Sequence, residues 1–411
     1  MEHSWICAQL GAREHYAIPR ALQQAGRLRE LHSDFWAGPL IRVLAPISGL
    51  TSLRSLATRF HPDLGKGEVA AVHSWNWRSL GWEALLRRSG LNDRYSGYVE
   101  VGRRFACAVR ASMRKRSGLG SNSFFFAYDT GALEAMDFLK DRGVRCVLDQ
   151  MDPNQVEAEL VRQEAKRWTG WQAESSEVPR EYFQRREREW QLADRIVVNS
   201  EFCRRALVQQ GVPAEKLVVI PLCYEEEKGE GKREKGKSSC HPLRVLFLGQ
   251  VILRKGIQYL MEAARQLEGE NMRFEVVGPI GISEQALKSA PKNMMFHGRV
   301  SRDQASDWYR RADVFVLPTI SDGFALTQLE AMAHGLPVIT TANCGDVVRH
   351  GLDGRIVPPR DAHALAEAIM TFANDRSSLS DFSQNAQRRV KDFSLRKLGN
   401  DLLEVEKALS E

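Results

Sequence analysis

Long apolar runs are missing from this 411-residue chain. Nothing in it approaches the roughly 20 consecutive apolar residues that a membrane-spanning helix needs. The opening Met1-Glu-His-Ser lacks the basic start and apolar stretch of a secretory leader, so a cytoplasmic protein is expected. Cysteine is sparse and unpatterned: seven residues, at 7, 107, 146, 203, 223, 240 and 344, odd in number and without paired spacing. That usage points to reduced thiols and away from a disulfide framework or a Cys-based zinc site. Neither HExxH nor a dominant DxD-type spacing occurs, so no metal dependence is expected. No full GxGxxG follows the first strand of either half, which disfavours a dinucleotide dehydrogenase. The net charge of +6 suits anionic ligands or an anionic membrane surface, but is too weak and diffuse to indicate nucleic acid.

What is present is enough chain for two ordinary domains, with 43% hydrophobic residues to build their cores. The segment Glu225–His241 carries five Glu, five Lys or Arg and three Gly and no core residue, so it reads as a flexible linker. The expected organisation is a first domain at 1–224, the linker at 225–241, a second domain at 242–385, and a C-terminal helical segment at 386–411 that crosses back to the first.

Residues 312–341 organise the second domain. Asp313-Val-Phe-Val-Leu317 is a short apolar run stopped by Pro318, as in a parallel strand covered on both faces. Thr319-Ile-Ser-Asp-Gly323 has turn chemistry, and Leu326–His334 favours helix, with Gly335 placed to end it. Pro337-Val-Ile-Thr340 opens the next strand. A helix start at a sheet's carboxyl edge offers free N–H groups and partial positive charge to an anion. Asp322 lies just before that helix and Glu330 about two turns along it. Carboxylates accept hydrogen bonds from sugar or ribose hydroxyls. Phosphate and sugar together suggest a nucleotide-sugar.

Asp322-Gly323-Phe324, then Leu329-Glu330-Ala331-Met332-Ala333, Gly335 and Pro337-Val338-Ile339 resemble the signature of the family 4 retaining glycosyltransferases. The resemblance implies the α/β GT-B fold, two doubly wound Rossmann-like domains facing a central cleft. Where the family has a first glutamate, this chain has Asp322. The family loop after the first strand of the second domain supplies an arginine and a lysine to the diphosphate. Here Gly249-Gln250 opens that loop and Arg254-Lys255-Gly256 closes it, so Lys255 matches the lysine, Gln250 replaces the arginine, and Arg254 is a candidate substitute. The resemblance further implies that the Gly298-Arg299-Val300 loop meets the nucleobase and that Glu330 takes the ribose hydroxyls. Asp322 would hold the donor sugar. Gly323, Phe324, Ala325 and Leu326 would meet the donor through backbone, the N–H groups of Phe324–Leu326 contributing to the diphosphate.

In the first half, Trp5–Leu10 reads as a strand, and the family loop that follows faces the cleft. Arg13, Glu14, His15 and Tyr16 are therefore either acceptor-side contacts or solvated charges of a capped loop. His73, Trp75 and Trp77 lie near the end of a strand at 70–75 and are either sugar-stacking or packing residues. Arg103–Arg116 carries six basic residues among Phe105, Ala106, Ala108, Val109 and Met113. It is either a solvated basic helix face or a peripheral membrane contact on the inner face of the membrane. Arg145–Asp149 is a buried strand; many relatives carry a histidine at its edge, where this chain has Gln150, Met151 and Asp152. Asp152 is kept as an acceptor-side candidate.

These readings imply a hexosyltransferase-type retaining enzyme of cell-surface polysaccharide or glycolipid biosynthesis. It would need no cofactor beyond a UDP- or GDP-sugar donor and no metal. Its partners would be that donor and a glycan, lipid-linked or small-molecule acceptor, with no nucleic acid. Lys255, Arg254 and the helix start would stabilise charge on the leaving diphosphate. Alternatives on the same architecture are a catalytically silent nucleotide-sugar-binding subunit, an epimerase or a phosphorylase.

Overall fold

The protein is described by a computed structural model covering residues 3–44, 56–65, 71–88, 94–172, 177–225 and 241–411. Two parallel sheets carry it. The first runs β1 (Ser4–Gln9), β2 (Leu28–Ser33), β3 (Ala71–Ser74), β4 (Ser123–Tyr128), β5 (Arg145–Gln150), β6 (Arg195–Val198) and β7 (Leu217–Val219), in spatial order β3-β2-β1-β4-β5-β6-β7. The second contains β8 (Leu243–Leu248), β9 (Met272–Val277), β10 (Met294–Gly298), β11 (Val314–Leu317), β12 (Val338–Thr341) and β13 (Gly354–Val357), in order β10-β9-β8-β11-β12-β13. Strand order reverses at β1/β4 and at β8/β11. Crevices at the carboxyl ends of such switch points are where doubly wound sheets bind ligands.

The sequence explains why both sheets are covered on both faces. In β4, Phe124 and Phe126 enter one core with Trp5 and Leu22, while Phe125 points the other way into a core with Val109 and Leu148. Alternation across a pleated strand puts consecutive side chains on opposite faces, so a Phe-Phe-Phe run feeds two cores. The second domain is built around one core that includes Val245, Phe274, Phe315 and Ile339.

The helix Arg94–Met113 takes the basic stretch at 103–116 out of the amphipathic membrane reading. Phe105, Ala106, Ala108, Val109 and Met113 are all buried, three of them in the core against Phe125. Arg103 and Arg104 both pair with Glu100 on their own helix. The apolar side of this helix is occupied by the protein's own sheet.

The chain crosses between domains twice. Residues 226–240, most of the expected linker, lie outside the described residues, but Glu225 is held by the buried Arg20 of the first domain. The helix Ser378–Arg389 and Phe393 belong to the second core, so that domain extends beyond 385, and the return crossing falls at Phe393–Leu395. The last helix, Leu395–Ser410, then buries Leu395, Leu398, Leu402 and Val405 against Ile18, Ala21 and Leu22. Four such side chains contribute a gross ~6–12 kcal/mol to docking. Trp5 Nε1 donates to Glu406 Oε2 at 2.6 Å on the same helix. The two crossings touch: the Tyr224 N–H donates to the Phe393 carbonyl at 2.8 Å.

Candidate active site

Between the sheets lies a cleft of about 720 Å³ lined from both domains. On the second-domain side, Gly249 and Gln250 follow β8, Val300 follows β10, and Leu326 and Glu330 come from the segment after β11; all line the cleft. Glu330 is oriented by Tyr309, whose hydroxyl donates to its Oε2 at 2.8 Å. Tyr309 is fully buried on the helix Arg302–Arg311, which opens with a capping box: Gln304 Oε1 accepts from the Ser301 N–H at 3.0 Å.

Lys255 and Asp322 meet directly in an ion pair. Burial by itself would raise the Asp322 carboxyl, but the charges of Lys255 and then Arg254 outweigh it and hold the group below the ordinary carboxylate range. The Phe324 N–H also donates to that carboxylate. Of the N–H groups expected to face the diphosphate, the one at Phe324 is thus already engaged. Arg254 donates to the Ser321 carbonyl at 3.0 Å and reaches Glu157 of the first half at 3.5 Å. Arg254, Lys255, Asp322, Gly323, Phe324 and Ala325 are not among the residues that line this cleft.

Two glycines are required by close approach. A Cβ on Gly323 would lie 2.2 Å from the Met151 carbonyl, where the 322–326 loop abuts the first domain. Gly256, at φ +77°, would put a Cβ 1.9 Å from the Pro318 carbonyl. Ala325 is held at φ 57°, a strained setting for a residue with a Cβ.

The first-domain wall is built by an unusual turn. Glu14, His15 and Tyr16 are consecutively left-handed, at φ 49°, 50° and 62°. Their side chains therefore fan to different sides. Glu14 and His15 line the cleft, Tyr16 turns into the core against Trp36, and Arg13 folds back over the Tyr128 ring at 5.1 Å. Neither carboxylate oxygen of Glu14 has a hydrogen-bond partner among the described residues. Burial pushes this carboxyl up to about 7, against the opposing pull of Arg13.

Asp152 is turned away from the cleft, its Oδ1 accepting from Arg186 at 2.8 Å and from the Asn154 N–H at 2.8 Å. Trp75 packs edge-on against Phe105, Trp77 is 88% exposed, and neither they nor His73 line the cleft. Arg20, His61 and Cys223 do line it and carried no sequence signal beyond an arginine inside the otherwise apolar Ala17-Ile-Pro-Arg-Ala-Leu stretch. The six described cysteines are free thiols.

The charged segment after β5 is an arm that reaches from the first domain to the second. On the helix Gln155–Arg167, Glu164 is completely buried. Its Oε2 accepts from Gln258 Nε2 and from the Tyr259 hydroxyl, both at 2.9 Å, and its Oε1 accepts from Arg360 Nε at 2.6 Å. Leu160 and Trp168 pack against Tyr259 and Ile320 beside it. At its near end Glu157 accepts from Ser321 Oγ at 2.9 Å, one residue before Asp322. Below it, Asp346 Oδ2 accepts from the Glu201 N–H at 2.8 Å, a further bond between domains.

Metal-ligating side chains do come together at one place among the described residues, although their sequence spacing gives no hint of it. Glu30, His32 and His73 meet on the first sheet, and none of them lines the cleft.

Comparison with known proteins agrees with this architecture. Residues 242–375 match the family model described as Glycosyl transferases group 1. The putative colanic acid biosynthesis glycosyltransferase WcaL of Escherichia coli (strain K12) is 26% identical over 253 residues, covering 57% of this chain and 62% of that protein. The capsular polysaccharide biosynthesis glycosyltransferase CapM of Staphylococcus aureus is 32% identical over 154 residues, covering 35% of this chain and 40% of CapM. The matched regions span less than two thirds of these relatives. Among solved structures, sucrose-phosphate synthase from Thermosynechococcus elongatus superposes with a TM-score of 0.62 at 17% identity, covering 99% of each chain. Anabaena HepE in complex with UDP gives 0.62 at 14% identity, covering 98% of this chain and 100% of that one. This chain has the GT-B fold, and its second domain is similar to the group 1 glycosyl transferases, whose family model it matches over residues 242–375.

Proposed function

We propose that the protein is a retaining glycosyltransferase that moves a hexose from a UDP- or GDP-sugar to a glycan or lipid-linked acceptor of cell-surface polymer or glycolipid synthesis. The observation that carries this reading is the pairing of two walls across one cleft. Glu330, braced by Tyr309, stands with the Gly249–Gln250 loop on one side, and the unpartnered Glu14 carboxyl stands on the other. Glu330 receives the ribose hydroxyls, and Val300 with its neighbours borders the base. Lys255 supplies positive charge at the diphosphate in place of a metal ion, and Asp322 positions Lys255 as well as meeting the donor sugar. The bond from the anomeric carbon to the diphosphate oxygen breaks as the acceptor oxygen attacks on the same face, and the acceptor proton passes to the leaving phosphate. Because the charge grows in the transition state, fixed donors at that position accelerate the step. Gln250 at the arginine position favours the second reading, a nucleotide-sugar-binding subunit without turnover.

Transfer of labelled sugar from a panel of nucleotide-sugars separates the two. Turnover with one donor, lowered by Glu330→Gln mainly through donor KM, is expected; tight donor binding with no product on any acceptor or on water would establish the silent subunit. Peripheral contact of residues 103–116 with an anionic membrane belongs to the same proposal, and with the apolar side of that helix buried it rests on charge alone.

Glu14 should give the pH profile its shape. Facing it are Arg13, which favours its ionised form, and Tyr128, Asp149 and Cys223, whose negative forms oppose it. Below about 7 the group is protonated; above it, ionised and able to accept from an acceptor hydroxyl. Acceptor kcat/KM should therefore rise with pH through about 7, and Glu14→Gln should remove that inflection while leaving donor KM unchanged. The same raised value makes the folded state hold its proton more tightly than the unfolded chain, so this group's contribution to stability falls as pH rises from about 4.5 to about 7.

A further inference from the structure

We propose that Glu30, His32 and His73 form a binding site for a divalent transition metal, Zn²⁺ foremost, at the edge of the first sheet and separate from the cleft. Glu30 and His32 are two apart on β2 and so point to the same face, and His73 on the edge strand β3 stands opposite His32 in register. Glu30 Oε2 lies 3.2 Å from His32 Nε2 and 3.3 Å from His73 Nε2, and one ligand atom from each residue fits within 4.8 Å of the others. A tetrahedral ion with bonds of about 2.0–2.2 Å separates its ligand atoms by roughly 3.3 Å, the spacing found for both of these pairs. Two imidazoles and one carboxylate with a fourth position open is a donor set that suits zinc.

Burial and access are both right for such a site. His32 is fully buried and Glu30 nearly so, while the His73 side chain is 31% exposed and leaves an entry path. The two rings stack with centroids 4.9 Å apart, which fixes their mutual orientation.

The place already attracts a cation. Arg116 Nη2 lies 2.7 Å from His73 Nε2 and 3.2 Å from Glu30 Oε2. It fits imperfectly, because its Nε is buried with no hydrogen-bond partner. Arg29 is the other charge nearby, 3.6 Å from the second oxygen of Glu30. Arg116 follows the helix Arg94–Met113 in a turn and is itself a third exposed, so it can withdraw to solvent when an ion enters. The arginine acts as a resident plug, and a bound ion would replace it and tie the edge strand β3 to β2.

Calorimetric titration of the full-length protein with Zn²⁺ alone tests this, with the visible absorption of Co²⁺ as a second readout of nitrogen and oxygen ligation. One ion per chain is expected. Arg116→Gln should tighten binding at least ten-fold, because it removes the competing cation, and binding seen only in that variant supports the same site. His73→Ala should abolish it in either background; its partly exposed position makes the variant safe for folding, and circular dichroism verifies this. Binding that is no tighter in Arg116→Gln, absent from both proteins, or unchanged in His73→Ala would overturn the proposal.

Discussion

Lys255→Ala is expected to lower kcat for sugar transfer by about 10²–10³, with acceptor KM nearly unchanged. The Lys255 ammonium is the cation proposed to serve the diphosphate, and with its side chain largely buried, screening by water is weak. Its charge is most useful when the sugar–phosphate bond is breaking, so the loss should appear in kcat more than in donor binding. A structural contribution must be separated, because Asp322 loses its ion-pair partner and is left to Arg254 and the Phe324 N–H. The double variant Lys255→Ala/Asp322→Asn supplies that control. If neutralising Asp322 restores most of the activity, Lys255 serves only to neutralise a buried carboxylate, and its catalytic assignment is wrong.

Glu164→Ala should weaken the interdomain arm by about 3–5 kcal/mol, the usual consequence of removing one member of a buried ion pair. Alanine leaves the Arg360 guanidinium, the Gln258 amide and the Tyr259 hydroxyl without the acceptor that now serves all three. Hydrogen exchange of the amides at 155–172 should accelerate by several orders of magnitude, with a smaller fall in Tm, because local opening does not require the two cores to unfold. Glu164→Gln should cost less, since an amide oxygen can still serve the Tyr259 hydroxyl. Unchanged exchange in the alanine variant would mean that Leu160 and Trp168 alone hold the arm against Tyr259 and Ile320.

The difference between what could and could not be read from sequence follows the range of the interactions. Strands such as Arg145–Gln150 and Val314–Leu317 were legible because apolar runs between turn residues are local signals. Glu330 was legible from its fixed spacing to the Gly-Phe pair. Tyr309, which orients Glu330 from 21 residues away, left no local trace. Glu164 looked like one more charge in a polar helix, and only a second domain reveals it as buried. The loop at Arg13–Tyr16 was readable only as a choice between acceptor contacts and solvated charges, and not residue by residue. Three left-handed residues in succession are set by packing, and they decide that Glu14 faces the cleft while Tyr16 does not. The basic run at 103–116 left two readings open, because amphipathicity shows that a face is buried without saying against what.

The hydrogen bond between Tyr224 and Phe393 makes the two crossings a single seam. The two segments of the connection between the domains are thereby fastened to each other as well as to the domains they join. Cys223, Tyr224 and Glu225 also line the cleft, which puts the seam in contact with whatever is bound there. The Glu164 arm and the Glu201–Asp346 bond fasten the domains at further points, so that the cleft is bounded by three separate ties.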